Sequence, residues 1–131
     1  MKALVVDDDP TSRLVLESIL SHYGAVASCT NGSDAVDAVR RALARRQPFD
    51  LISIDLLMPV MNGLEALQLI RQDEESQGQP RASKVIVITS SDTPANINEA
   101  FGQLCDAYLV KPVDGQQFLD VLHCLCNLQP A

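Results

Sequence analysis

Apolar stretches of strand length alternate with stretches of helical periodicity along the whole chain. The strand candidates are Ala3–Val6, Ala25–Cys29, Leu51–Ile54, Val85–Thr89 and Ala107–Val110. Three of these are unbroken runs rich in Val, Ile and Leu, as parallel strands covered on both faces require. Five helices are predicted between and after them. The first has Asp9 as N-cap and Pro10 in the first helical position, carries Leu16, Ile19 and Leu20, and stops at Gly24. The second opens near Asn31, with Ala35, Val36, Val39, Ala42 and Leu43 at helical spacing. The third follows Asn62-Gly63 and turns Leu64, Leu67 and Ile70 inward. The fourth starts at Thr93-Pro94 and buries Ile97, Ala100, Phe101 and Leu104. The fifth begins at Asp114, where Gln117 completes a capping-box pattern, and buries Phe118, Val121, Leu122 and Leu125.

Strands alternating with helices imply an α/β fold, a single doubly wound (βα)5 domain with right-handed crossovers and helices on both faces of a parallel sheet. Five units favour the flavodoxin-like strand order 2-1-3-4-5. No repeat or interdomain linker interrupts the pattern, so residues 1–131 read as one domain with a core of about 2–127. The polar stretch from Arg71 to Lys84, with Asp73-Glu74-Glu75 and Gly78-Gln79-Pro80, reads as a surface loop whose charges are solvated.

Composition narrows the function classes. At 131 residues, 47% of them hydrophobic, the chain can bury a core without disulfides or structural metals. No apolar run approaches a membrane span, and acidic residues arrive too early for a secretory signal, so a cytoplasmic protein is expected. A net charge of −7 argues against direct nucleic-acid binding. The basic cluster Arg40-Arg41 with Arg45-Arg46 falls at a predicted helix C-terminus, where cations complement the dipole. Cys29, Cys105, Cys124 and Cys126 match neither a zinc pattern nor a disulfide framework and read as buried or half-buried free thiols.

In open α/β sheets the chemistry collects past the carboxyl ends of the strands. Those edges carry Asp7-Asp8-Asp9 after the first strand and Asp55 after the third. Thr89-Ser90-Ser91 follows the fourth strand and Lys111-Pro112 the fifth. Strands one and three are neighbours in the expected order, so their carboxylates converge. Clustered carboxylates repel unless a cation joins them, and hard oxygen ligands suit Mg2+. A lysine and a threonine opposite them can hold phosphoryl oxygens. A carboxylate can also act as nucleophile and form an aspartyl phosphate. Taken singly, each residue has an ordinary role: Asp9 a helix cap, Thr89 a strand former, Lys111 a surface cation.

The ordered set Val5-Val6-Asp7-Asp8-Asp9-Pro10, Asp50–Asp55 with Met58-Pro59-Val60-Met61-Asn62-Gly63, Ile88-Thr89-Ser90 and Tyr108-Leu109-Val110-Lys111-Pro112 resembles the two-component response-regulator receiver family, from about Lys2 to Leu125. The resemblance implies that Asp55 accepts phosphate from a histidine kinase or histidine phosphotransfer protein. It implies Mg2+ held by Asp8, Asp55 and the backbone carbonyl of Leu57, with Asp7 acting through a metal-bound water. Lys111 would contact the phosphoryl group, with a cis peptide to Pro112. Thr89 would move toward the phosphate and Tyr108 would change rotamer, altering the face of the fourth helix, fifth strand and fifth helix that a partner reads. Leu57 and Ser91 occupy positions that tune hydrolysis of the phosphate in the family. Activation-linked homodimers through that face are common there.

This sequence departs from the family's commonest residues at Asn62, where Asp is frequent, at Ser90, where Ala is usual, and at Leu104-Cys105, where Gly-Ala is frequent. Two enzyme-like or cofactor readings compete. A haloacid-dehalogenase-type phosphatase needs a second Asp two residues after the nucleophile, where Leu57 stands. A flavin-binding module wants a Ser/Thr/Gly-rich phosphate loop after the first strand, where three acids stand. A degenerate receiver that binds partners without phosphorylation is the third. The output is either docking of a stand-alone receiver to an unknown downstream protein or an output domain missing from this chain.

Overall fold

In the computed structural model, residues 1–56, 61–89 and 104–126 are described. Strand β1 (Lys2–Val6) leads into helix α1 (Pro10–Leu20), then β2 (Ala25–Cys29), α2 (Gly32–Ala44), β3 (Leu51–Asp55) and α3 (Gly63–Ser76). Strands β4 (Lys84–Thr89) and β5 (Ala107–Val110) and a C-terminal helix α4 (Gly115–Cys126) complete the described elements. All pairings are parallel, in the expected order β2-β1-β3-β4-β5. The helix predicted over 93–104 falls largely outside the described residues, as do Leu57, Met58-Pro59-Val60, Ser90 and Ser91.

Alternation along the strands divides the core between the two faces of the sheet. Leu4, Val6, Ile52, Ile54, Val85 and Val87 pack with α2 and α3 through Val36, Val39, Leu43, Leu67 and Ile70. Ala3, Val5, Leu51, Ile86 and Ile88 pack on the other face with Leu16, Leu20, Phe118 and Leu122. Strand β3 is buried at every position, which explains its continuous apolar run. Edge strand β2 is mostly exposed, and its small residues match that placement. Among the described residues no helix is long and apolar enough to cross a membrane.

Helix starts follow the capping chemistry read from the sequence. Asp9, Asn31 and Asn62 each accept a backbone N–H from the first turn of α1, α2 and α3. The Asn62 side-chain amide also donates to Glu65 Oε1 at 2.9 Å, so the two residues bond reciprocally. At α4, Asp114 accepts from the amides of Gln116 and Gln117, but among the described residues no reciprocal bond from the Gln117 side chain completes the predicted box.

Two expectations are corrected. The Arg71–Lys84 stretch is not all loop, because α3 runs to Ser76 and Arg71 and Glu74 are buried. Arg71 donates to Glu74 at 2.8 Å, to the Ser83 carbonyl at 2.9 Å and to the Leu104 carbonyl at 2.8 Å, and pairs with Asp106 at 3.2 Å. Glu74 takes the Ser83 amide at 2.9 Å, and Asp106 takes the Val85 amide at 2.8 Å. This network ties α3 to the amino ends of β4 and β5. The thiols also differ from expectation: Cys29, Cys105 and Cys126 are half-buried, with burial raising their pKa values, but Cys124 is exposed. Two residues along a helix turn a side chain to a different face, so Cys124 and Cys126 cannot share one environment.

Ser53 lies in β3 with its hydroxyl buried and without a hydrogen-bond partner among the described residues. A buried unsatisfied hydroxyl costs more than its removal. Ser53→Ala is therefore expected to raise unfolding stability by about 1 kcal/mol, read as a higher urea midpoint at unchanged slope.

Candidate functional site

The carboxyl ends of β1, β3 and β5 assemble the site. Asp7 directly follows β1 and is buried; its amide continues the ladder to the Cys29 carbonyl at 3.1 Å. One carboxylate oxygen of Asp7 accepts the Asp9 amide at 2.9 Å. The other, Oδ2, is buried and has no hydrogen-bond partner among the described residues. Asp8 is exposed beside it. Asp55 ends β3, buried, with its Cα in register with Ile88. Asp7, Asp8 and Asp55 each present an oxygen, and these atoms lie within 4.8 Å of one another.

Lys111 faces this cluster from the end of β5. Its amide bonds to the Thr89 carbonyl at 2.7 Å, which fixes the strand end, and its peptide bond to Pro112 is cis, as expected. The ammonium group donates to Asp55 Oδ2 at 2.8 Å and lies 3.9 Å from Asp7 Oδ2. Burial pulls the lysine pKa down, but the hydrogen bond and charge of Asp55, with the charges of Asp7 and Asp9, outweigh it and raise the pKa. Burial pushes the Asp7 carboxyl up to about 6; the Asp55 charge adds to this, while the Asp9 amide and Lys111 oppose it. Asp55 and Asp7 therefore share Lys111.

The remaining residues fall in different places. Thr89 ends β4 and is buried, but its hydroxyl reaches the Leu109 carbonyl at 3.5 Å, a long contact across the sheet. Tyr108 is 60% exposed and Val110 43%, so neither packs inward on β5. Asp9 serves as the α1 cap, bonded to the Thr11 amide and the Ser12 hydroxyl, and the Ser12 bond leads in lowering its pKa. Sequence reasoning missed Arg13, whose guanidinium donates to the Asp7 carbonyl at 3.0 Å. Its signal was available, since a long helical side chain one turn beyond Asp9 leans back toward the helix start.

The model of the response regulator receiver domain matches residues 3–123. The chain belongs to the response regulator receiver family. It is a receiver domain of two-component signalling systems, a class of signalling modules rather than conventional enzymes. Protein PilH of Pseudomonas aeruginosa is 32% identical over 123 residues, which cover 93% of this receiver and 94% of PilH. Of several sensor or hybrid histidine kinases that it also matches, the receiver spans 13% or less. The receiver domain of the histidine kinase CKI1 from Arabidopsis thaliana, complexed with Mg2+ and BeF3−, shares 31% identity with a TM-score of 0.82, over 95% of this chain and 88% of that one. A chain from the co-crystal of the Saccharomyces cerevisiae phosphotransfer protein Ypd1 with the receiver domain of Ssk1 shares 25% identity with a TM-score of 0.81, over 100% and 92%.

Proposed function

We propose that this receiver takes a phosphoryl group onto Asp55 in a Mg2+-dependent transfer from a histidine kinase or histidine phosphotransfer protein. The observation that carries this reading is the convergence of Asp7, Asp8 and Asp55 with Lys111 on the Asp55 carboxylate. Asp7 Oδ2, buried and without a hydrogen-bond partner among the described residues, is an oxygen that a metal-bound water can satisfy, and the donor set is all oxygen. Asp8 and Asp55 would hold Mg2+ through their side chains and Leu57 through its carbonyl, with Asp7 acting through water. The ion, when bound, neutralises charge on the transferring group. The similarity to receivers described with Mg2+ and BeF3−, a tetrahedral mimic of a phosphoryl group, supports the same assignment.

In the transfer, an Asp55 oxygen forms the new O–P bond while the P–N bond of the donor phosphohistidine breaks. The electron pair of that bond leaves with the imidazole. Lys111 holds a phosphoryl oxygen by exchanging its bond to the Asp55 carboxylate for one to the incoming group. The Thr89 hydroxyl, whose contact to the Leu109 carbonyl is long, turns to a second oxygen. Tyr108 then changes rotamer, and the exposed β5 face with Tyr108 and Val110 is read by a downstream protein or output domain, or by a second copy. Leu57 and Ser91 set access of hydrolytic water. The chain acts as one receiver unit, and its half-buried thiols suit the reducing cytoplasm.

Intact mass after incubation with Mg2+ and acetyl phosphate tests the proposal. Wild type gains about 80 Da and up to roughly two negative charges, and Asp55→Asn gains nothing. No gain in wild type, with a silent beryllofluoride titration, would leave a receiver that binds partners without phosphorylation.

The raised Asp7 pKa gives the binding a defined pH dependence. The metal-free folded state keeps the Asp7 proton up to about pH 6, whereas the unfolded chain releases it near 3.8. This group's stabilisation is thus complete below 3.8 and fades as pH rises through about 6. Cation binding runs oppositely, because the proton must leave first. Mg2+ affinity by calorimetry is expected to be about tenfold weaker at pH 5 than at pH 7.5; a flat profile would separate Asp7 from the ion.

A further inference from the structure

We propose that Arg13 is a positioning residue for the metal-binding acids, held in place by Glu17 and Ser28; this rests on the phosphoacceptor reading above. Strand β2, helix α1 and the β1–α1 turn are joined by one polar relay. The Ser28 hydroxyl donates to Glu17 Oε1 at 2.6 Å. The same oxygen lies 3.7 Å from Arg13 Nε, one helical turn away. Arg13 Nη1 then donates to the Asp7 carbonyl at 3.0 Å, and the Asp9 amide holds Asp7 Oδ1 at 2.9 Å. Asp7 is thereby fixed at its carbonyl and at one carboxylate oxygen. Oδ2 alone is left without a hydrogen bond among the described residues, beside Asp8, Asp55 and Lys111.

The peptide linking Asp7 to Asp8 contains the carbonyl that Arg13 grips, so its orientation governs both side chains. Without the guanidinium this peptide can rotate, and the two carboxylates no longer present oxygens to the same point. Arg13 and Glu17 are only partly exposed, at 23% and 31%, so the pair is sheltered enough to hold one geometry.

Positioning and bare electrostatics predict opposite signs. Arg13 is a cation beside an acidic cluster, and deleting its charge alone would tighten Mg2+ binding. Losing a group that orients metal ligands instead weakens binding, roughly ten- to a hundredfold. Arg13→Met keeps the apolar stem and removes the donors; Arg13→Lys keeps the charge and one donor able to reach the carbonyl. Ser28→Ala alters the relay without altering any charge. Mg2+ affinity of the full chain by calorimetry is expected to fall in Arg13→Met, recover most of its value in Arg13→Lys, and fall about twofold in Ser28→Ala. Unchanged or tighter binding in Arg13→Met overturns the proposal. If that variant does not fold, unaltered affinity in Ser28→Ala overturns it. A wild type that binds Mg2+ and gains the phosphoryl mass, matched by Arg13→Met, rejects the positioning role alone. A wild type that does neither rejects the phosphoacceptor reading and this proposal with it.

Discussion

Lys111→Met is expected to slow phosphorylation of Asp55 by acetyl phosphate about 100- to 1,000-fold while binding Mg2+ more tightly. The slowing follows from losing a cation that the structure places on the Asp55 carboxylate, at 2.8 Å. A charge-assisted donor preset where negative charge develops is worth that much because it needs no reorganisation during the reaction. The tighter binding follows from the same geometry, since the ammonium lies 3.9 Å from the buried Asp7 oxygen and competes with a metal for it. Rate is read by intact mass against time, and affinity by calorimetry. A variant phosphorylated at the wild-type rate would remove Lys111 from the chemistry, whatever its effect on the ion.

Glu74→Ala has the largest expected effect on the fold, a loss of about 3–5 kcal/mol. Glu74 has no exposed surface, and its two oxygens serve Arg71 and the Ser83 amide. Truncation leaves a buried guanidinium short of its nearest counter-charge and an amide without an acceptor. Against a typical total of about 5–15 kcal/mol, most of the folding margin disappears. Arg71→Met combined with Glu74→Leu is expected to be milder than Glu74→Ala, because both deeply buried charges leave together and the more accessible Asp106 keeps the Val85 amide. Urea unfolding of the variants measures both effects. A Glu74→Ala loss below about 1 kcal/mol would mean that Arg71 is sufficiently held by Asp106 and the Leu104 and Ser83 carbonyls.

Strand order and the meeting of Asp7, Asp8, Asp55 and Lys111 were legible because both rest on local signals in a fixed order. Buried parallel strands read as Val/Ile/Leu runs, and a doubly wound sheet brings their carboxyl ends together. Arg71 and Glu74 were not legible. Glu74 stands inside the acidic run Asp73-Glu74-Glu75, and what buries it and Arg71 arrives from Ser83, Leu104 and Asp106, up to 35 residues away. A charged residue's burial is decided by partners, and no window of sequence contains these together. Arg13 was overlooked for a milder reason: its contact is to a backbone carbonyl, which any residue at position 7 would offer. At 60% exposed, Tyr108 is not a half-buried packing residue of β5.

Gly63 carries no functional group, yet a β-carbon built on it would collide with the backbone carbonyl oxygen of Asp55. The first turn of α3 therefore rests against the main chain of Asp55, the proposed acceptor, and any side chain there must push Asp55 or the helix aside. In a mutational survey of signalling, this position would register as sharply as the acids do. A map of intolerant positions thus outlines more than the reactive groups: it includes a place where the absence of atoms is the requirement.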